Sequence, residues 1–138
     1  MTLLQRLILH EGLSLKPYQD TLGFWTVGFG HKILPTETFD VITKEEAMDL
    51  LLADMENAKT QLAKTFPWVL GLDETRRDIL IEMVFQLGIG GVSKFKRMLT
   101  ALRERDYDTA ADEMLDSLWA RQTPKRCKKL SELMKTGG

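Results

Sequence analysis

Between Gly12 and Gly30 the chain abandons the helical period that governs the rest of it, and this one interruption narrows the possible folds more than any other feature. Upstream, Leu3, Leu4, Leu7 and Ile8 form an apolar stripe at helical spacing, opened by Thr2 three residues before Gln5 in the pattern of a capping box. From Thr43 onward the apolar spacing is helical again. A short segment whose side chains alternate, set into a chain of amphipathic helices, specifies a mainly α, α+β protein with a small strand-bearing N-terminal part.

Inside the interruption, Pro17 is expected to precede a short strand, and Asp20-Thr21-Leu22-Gly23 has the composition of a turn. In the next strand Trp25, Val27 and Phe29 fall on one face and Thr26, Gly28 and Gly30 on the other, which leaves the Thr26 face nearly bare. Glycines on a strand face mark a close approach by a ligand or water, or else a bulge or tight bend; both alternatives stand here. Gly12 is suited to end the first helix, so Glu11 lies in its last turn, where the helix dipole disfavours a carboxylate. With added burial such a glutamate holds its proton, as a general acid must; an ordinary exposed glutamate at a helix end is the other reading. Two carboxyls, Glu11 and Asp20, with the hydroxyl of Thr26 beside a cleared face are what acid and base cleavage of a glycosidic bond requires.

The remaining chain reads as helices. Thr43 and Glu46 form a second capping box, and Ala47, Leu50, Leu51, Ala58 and Leu62 mark the buried stripe of a long helix ending before Pro67. Asp54 shares that stripe, and a carboxylate on an apolar face needs a partner. Asp73 is placed to cap a helix to Leu87, apolar around most of its circumference and therefore central. Gly88, Gly90 and Gly91 break the chain before a helix containing Phe95, Met98, Leu99 and Leu102. Asp106 caps the next, with Ala110, Ala111, Met114 and Leu115; Thr123 caps the last, with Pro124 first and Cys127, Leu130, Leu133 and Met134 inside.

Length and composition agree. At 138 residues and 43% hydrophobic content the chain can bury the core of one domain. Its single cysteine, Cys127, excludes an internal disulfide and has no metal-spaced companions, so it is expected to be a small core residue. No stretch has the length of a membrane span or the pattern of a signal peptide, from which synthesis in the cytoplasm without stable membrane insertion is expected. A formal charge of −1 does not suit a nucleic-acid binder, although residues 116–138 carry six Lys and Arg against two acids.

Glu11-Gly12, Asp20-Thr21 and Gly23-Phe24-Trp25-Thr26-Val27-Gly28-Phe29-Gly30-His31 closely resemble the lysozymes of tailed bacteriophages, the T-even type in particular. Val41 to Ala47, Met83-Val84-Phe85-Gln86-Leu87-Gly88, and Trp119 followed by Gln122-Thr123-Pro124 and Arg126 resemble later segments of that family in the same order, so the likeness spans nearly the whole chain. The resemblance implies a single lysozyme domain over 1–138 with a lysozyme-like two-lobe fold. Its N-terminal hairpin lobe covers about 12–65 and its helical lobe 1–11 plus 66–138. It implies a peptidoglycan hydrolase that cleaves between N-acetylmuramic acid and N-acetylglucosamine with inversion. Glu11 would protonate the leaving oxygen, Asp20 would activate water, and Thr26 would hold it. It further implies substrate contacts at Gly30, Lys32, Phe85, Gln86 and Glu113, and supporting roles for His31, Asp54 and Arg126, with His31 as the partner of Asp54.

Beside these stand a core histidine bonded to backbone for His31, simple core packing for Phe85, and a solvated charge in the run Lys125 to Lys129 for Arg126. No metal or other cofactor is implied. The partners implied are glycan strands and a holin that releases a monomeric enzyme from the host cytoplasm to the wall. An inactive wall-binding or tail-structural module of the same fold is the competing function. Four departures from the family pattern concern substrate contacts. The connection from His31 to Thr43 is short, Lys32 stands where an apolar residue is usual, Glu113 where Asn is usual, and Leu118 where an arginine is usual.

Overall fold

The computed structural model describes residues 1–138. The chain divides into two compact units, Met1–Asn57 and Ala58–Gly138. The first holds α1 (Leu3–Glu11), the strands β1 (Ser14–Gln19), β2 (Trp25–Gly28) and β3 (His31–Lys32), and the start of α2 (Lys44–Thr65). The second holds the end of α2, a 3-10 turn at Pro67–Gly71, and helices α3 (Glu74–Ser93), α4 (Lys96–Arg103), α5 (Tyr107–Leu115), α6 (Leu118–Gln122) and α7 (Pro124–Thr136). This is the mainly helical fold with a small sheet that the sequence specifies. No helix is long and apolar enough to cross a membrane.

In the first unit both expected capping boxes are formed. The Thr2 hydroxyl accepts from Gln5 N at 3.1 Å while the Gln5 carbonyl oxygen takes Thr2 N at 2.8 Å. Thr43 and Glu46 exchange the corresponding bonds at 3.1 and 3.2 Å. The sheet is antiparallel in the order β1-β2-β3, with Tyr18 opposite Thr26, Thr26 opposite Lys32, and Val27 opposite His31. Two expectations change here. Pro17 lies within β1 instead of before it, in the stretch where the pairing with β2 is irregular between Ser14 and Tyr18. An edge strand tolerates proline there because the missing N–H costs no ladder bond. The alternation of β2 also stops at Gly28. Both Gly28 (φ 69°) and Gly30 (φ 75°) occupy the left-handed region in the turn to β3, which glycine alone adopts without strain.

In the second unit α3 is the central helix, with Ile79, Leu80, Ile81, Met83 and Val84 all buried. Each such side chain contributes roughly 1.5–3 kcal/mol of transfer free energy. The unit's other helices pack in pairs, α5 on α7 and α4, and α7 on α3 and α6, closing over Met98, Leu102, Met114, Leu130 and Met134. The break at Gly88 is real, with φ 76° and ψ 163°, but the helix resumes and includes Gly90 and Gly91. Phe95 sits at the N-cap of α4 instead of inside it, and Leu115 is 49% exposed. Asp106 caps α5 as expected, its carboxylate accepting from Thr109 N at 3.2 Å. Thr123 occupies the N-cap position of α7, yet its hydroxyl donates back to the Trp119 carbonyl at 3.2 Å. The residue also closes α6, and that earlier helix claims its side chain.

Candidate active site

Glu11 is the last residue of α1, and Gly12 N–H returns to the Ile8 carbonyl at 3.1 Å to end the helix there. Its carboxyl is half-buried, not an exposed helix end. The side chain packs on the turn after β2, so closely that a Cβ at Gly30 would lie 2.7 Å from Glu11 Oε2. Of the alternatives for the glycines, the tight bend is present, and the close approach comes from the protein's own groups. Gly28 and Gly30 make a tight bend, and each admits a close approach, by the Glu11 carboxyl at Gly30 and by Ala47 of α2, 3.3 Å from a Cβ, at Gly28. Because both glycines leave the strand, they do not extend the Thr26 face as alternation suggests, and the Glu11 carboxyl fills the space at Gly30.

Asp20 follows β1 in a tight turn that its own side chain builds. Oδ1 accepts Leu22 N at 2.9 Å and Phe24 N at 2.8 Å, and Gly23 N reaches the Asp20 carbonyl at 3.0 Å. These bonds fix the carboxylate and use one of its two oxygens. Thr26 is buried on β2, and its hydroxyl donates to the Phe24 carbonyl at 2.9 Å, the residue that also holds Asp20. With its hydrogen committed, the Thr26 oxygen offers only lone pairs to a visitor.

Tyr18 stands directly across the ladder from Thr26 and shares its face. Burial and the charges of Glu11 and Asp20 raise its phenol above the ordinary value, so it keeps its proton. The sequence contains the signal for this residue, since a hairpin that joins β1 to β2 brings Tyr18 opposite Thr26. On the other side of Thr26, Lys32 places its ammonium over the Phe24 ring at 4.8 Å.

His31 belongs to a charge cluster beneath the sheet. Its Nδ1–H meets Asp54 Oδ2 at 2.7 Å, and its Nε2–H meets Glu37 Oε1 at 2.9 Å. The hydrogen bond to Asp54 is the main cause that lifts the imidazole to about 9, against the opposing pull of burial and with Glu37 adding to it. His31 is therefore a protonated, doubly paired residue, not a neutral histidine on backbone. Glu37 is the member the sequence did not reveal. Partial burial opposes its ionisation, but Leu34 N–H and the histidine outweigh that and hold its carboxyl below the usual range.

The site residues expected in the second unit form two groups. Phe85 and Gln86 lie on α3, both 9% exposed, and the Gln86 carbonyl oxygen accepts Trp119 Nε1–H at 2.9 Å. The Arg126 side chain is only 9% exposed and is paired, with Nε 3.0 Å from Oε2 of the fully buried Glu82. Glu82 went unnoticed in the sequence, although a carboxylate inside an apolar helix calls for a partner just as Asp54 does. Glu113 and Leu118 line an open pocket of about 520 Å³ walled by Phe95 and Trp119, whose rings meet edge to face at 6.1 Å. Cys127 is buried with its thiol on the Met114 carbonyl, and burial pushes it up to about 11, which keeps it inert.

Comparison with known proteins bears on this constellation. A model described as phage lysozyme matches residues 9–135. The chain is 34% identical to the pre-baseplate central spike protein Gp5 of Enterobacteria phage T4, over 99% of this chain but 28% of that protein. It is 30% identical to probable T4-type lysozyme 1 of Dictyostelium discoideum, over 92% of this chain and 89% of the relative. It is 31% identical to an endolysin of Acyrthosiphon pisum secondary endosymbiont phage 1, over 85% and 77% of the two chains. The chain therefore spans little more than a quarter of the spike protein but most of the other two relatives.

Proposed function

The chain belongs to the phage lysozyme family of lysozyme-type hydrolases, and from that premise we propose that it is a muramidase that cleaves the β-1,4 bond between N-acetylmuramic acid and N-acetylglucosamine in peptidoglycan, with inversion. The observation that carries this reading is local to one unit. The Glu11 carboxyl fills the space left by Gly30, while the Asp20 turn and the Thr26 hydroxyl are tied together through Phe24.

Because the Thr26 hydroxyl gives its hydrogen to Phe24, it accepts one hydrogen of a water, and Oδ2 of Asp20 accepts the other. A water held by both hydrogens directs its lone pair at the anomeric carbon. The bond from that carbon to water oxygen forms as the bond to the departing oxygen breaks. Asp20 takes the water's proton, and Glu11 gives its own to the leaving sugar. Single displacement of this kind needs room for the water, with the carboxyls about 6.5–9.5 Å apart. No step asks for a metal or organic cofactor.

Gly30, Lys32, Phe85, Gln86 and Glu113 are proposed as substrate contacts, and His31, Asp54 and Arg126 as residues that support the site. The enzyme is read as a monomer made in the host cytoplasm, which meets glycan strands after holin-type lesions open the inner membrane. Measuring turnover of purified sacculi tests the assignment, with circular dichroism as the folding control. Glu11→Gln and Asp20→Asn should each lose at least about 100-fold. A folded Glu11→Gln protein near wild-type rate would overturn it. The likeness to a tail spike protein favours one other reading, a wall-binding structural module. That reading predicts retention on sacculi with no release of reducing ends.

A further inference from the structure

Among the proposed substrate contacts Lys32 alone brings a positive charge, and the sheet fixes where it points. Its neighbour on β3, His31, is buried beneath the sheet and held there by both Asp54 and Glu37. Successive side chains of a strand take opposite faces, so fastening His31 below turns Lys32 to the face that carries Thr26. The ladder agrees, since Thr26 and Lys32 are Cα partners. From that position the ammonium lies 4.8 Å from the centroid of the Phe24 ring, and Phe24 is the residue whose N–H holds Asp20 and whose carbonyl holds the Thr26 hydroxyl. A cation is thus built into the border of the proposed water site.

Contact between an ammonium and a ring that is itself 50% exposed is a modest attraction and does not account for a charge at this place. The chemistry of the substrate does. Muramic acid differs from its partner sugar by a lactyl ether on C3, which ends in a carboxylate where no stem peptide is attached; a stem turns that carboxylate into an amide and brings carboxylates of its own. Asp20 works as a carboxylate in the proposed reaction, and a second negative charge brought beside it is repelled. A formal charge of −1 gives the whole protein no field to offset this, whereas a lysine across the ladder from Thr26 offsets it locally.

We propose that Lys32 selects the muramic acid residue by charge: its ammonium pairs with a carboxylate on the C3 substituent of the sugar that Asp20 and Thr26 engage. No proton leaves Lys32. The substrate carboxylate keeps the same charge before and during bond cleavage, so the pair strengthens binding more than the chemical step.

Release of reducing ends from two kinds of purified glycan strand tests this, one stripped of peptide and one bearing stems, each with native carboxyls and with carboxyls converted to methyl amides. On native strands Lys32→Met should raise KM about tenfold with kcat nearly kept, and Lys32→Arg should retain most of the affinity. On amidated strands Lys32→Met and wild type should differ by less than about twofold, and added salt should erode the wild-type advantage on native ones. A larger penalty on stripped strands identifies the lactyl carboxylate as the partner, and a larger one on stem-bearing strands identifies the stem. A Lys32→Met penalty of the same size on native and amidated strands of both kinds, or none on any, would overturn the proposal, because a purely structural lysine is indifferent to the substrate's charge. Lys32→Gln serves as the neutral variant if Lys32→Met does not fold. The proposal rests on the muramidase reading, and the two fail separately. Wild-type protein that frees no reducing ends from any strand removes that reading, whereas release without dependence on the carboxyls removes only the role of Lys32.

Discussion

Gly30 concentrates the chemistry of the site in one missing side chain. A methyl group there would meet Glu11 Oε2 at 2.7 Å and Cδ at 2.8 Å, on a backbone whose φ of 75° already disfavours any other residue. Gly30→Ala should therefore cost about 1–2 kcal/mol in stability and, by displacing the acid, far more in activity than in folding. Urea denaturation and turnover on sacculi give both quantities. Wild-type turnover with the stability loss alone would mean that Glu11 does not work from this position. At this scale the sequence was legible in residue type but not in cause. The glycines announced either a close approach or a tight bend, and a period-2 pattern does not reveal that Gly28 and Gly30 leave the strand or that Glu11 is what approaches. Glu82 shows the same limit, since a carboxylate in an apolar run declares its need for a partner without naming Arg126, 44 positions away.

Helix ends were legible where they depend on neighbours in sequence. Thr2, Thr43, Asp73 and Asp106 all cap as their local patterns indicate. Thr123 departs because two helices compete for one hydroxyl, and the five-residue α6 is too short to show a period. The link between β3, α2 and the connector is the cluster of His31, Asp54 and Glu37, of which only the first two stand out in the sequence. Its pH dependence follows from the shift. The folded imidazole titrates near 9 and the unfolded one near 6.5, so its contribution is complete below about 6.5 and disappears as pH rises through about 9. The shift corresponds to about 3 kcal/mol at most. Glu37, held below its usual range, contributes above its unfolded value of about 4.3 and loses that contribution as pH falls through its depressed folded value. The cluster is thus most stabilising in mildly acidic solution. Thermal unfolding of wild type and His31→Asn from pH 5 to 10 should converge at the alkaline end, with NMR placing the His31 titration well above 6.5. A His31 midpoint below that value would contradict the account.

For the molecule as a whole, the helical unit closes around α3, and a long-range charge pair between Glu82 and Arg126 lies within it. Arg126→Met should cost about 3–5 kcal/mol in chemical denaturation because it removes the cation that faces a fully buried carboxylate, and adding Glu82→Leu should return most of the loss. A single-variant cost under about 1 kcal/mol would show that the pair behaves as a surface bridge. Fold class and family were legible because caps, periods and motif order are written along the chain. Which oxygen accepts which hydrogen was not, since it depends on the turn around Asp20 and on Phe24.

That arrangement is also the basis of the central claim, that a water held by Asp20 and Thr26 attacks directly while Glu11 protonates the leaving oxygen. Proton NMR of purified glycan strands, recorded before mutarotation, observes the consequence at the newly freed reducing end. The account predicts that N-acetylmuramic acid appears first as the α-anomer with wild-type protein and that no such signal arises with folded Glu11→Gln. A first-formed β-anomer, or a glycosyl group trapped on Asp20, would contradict it.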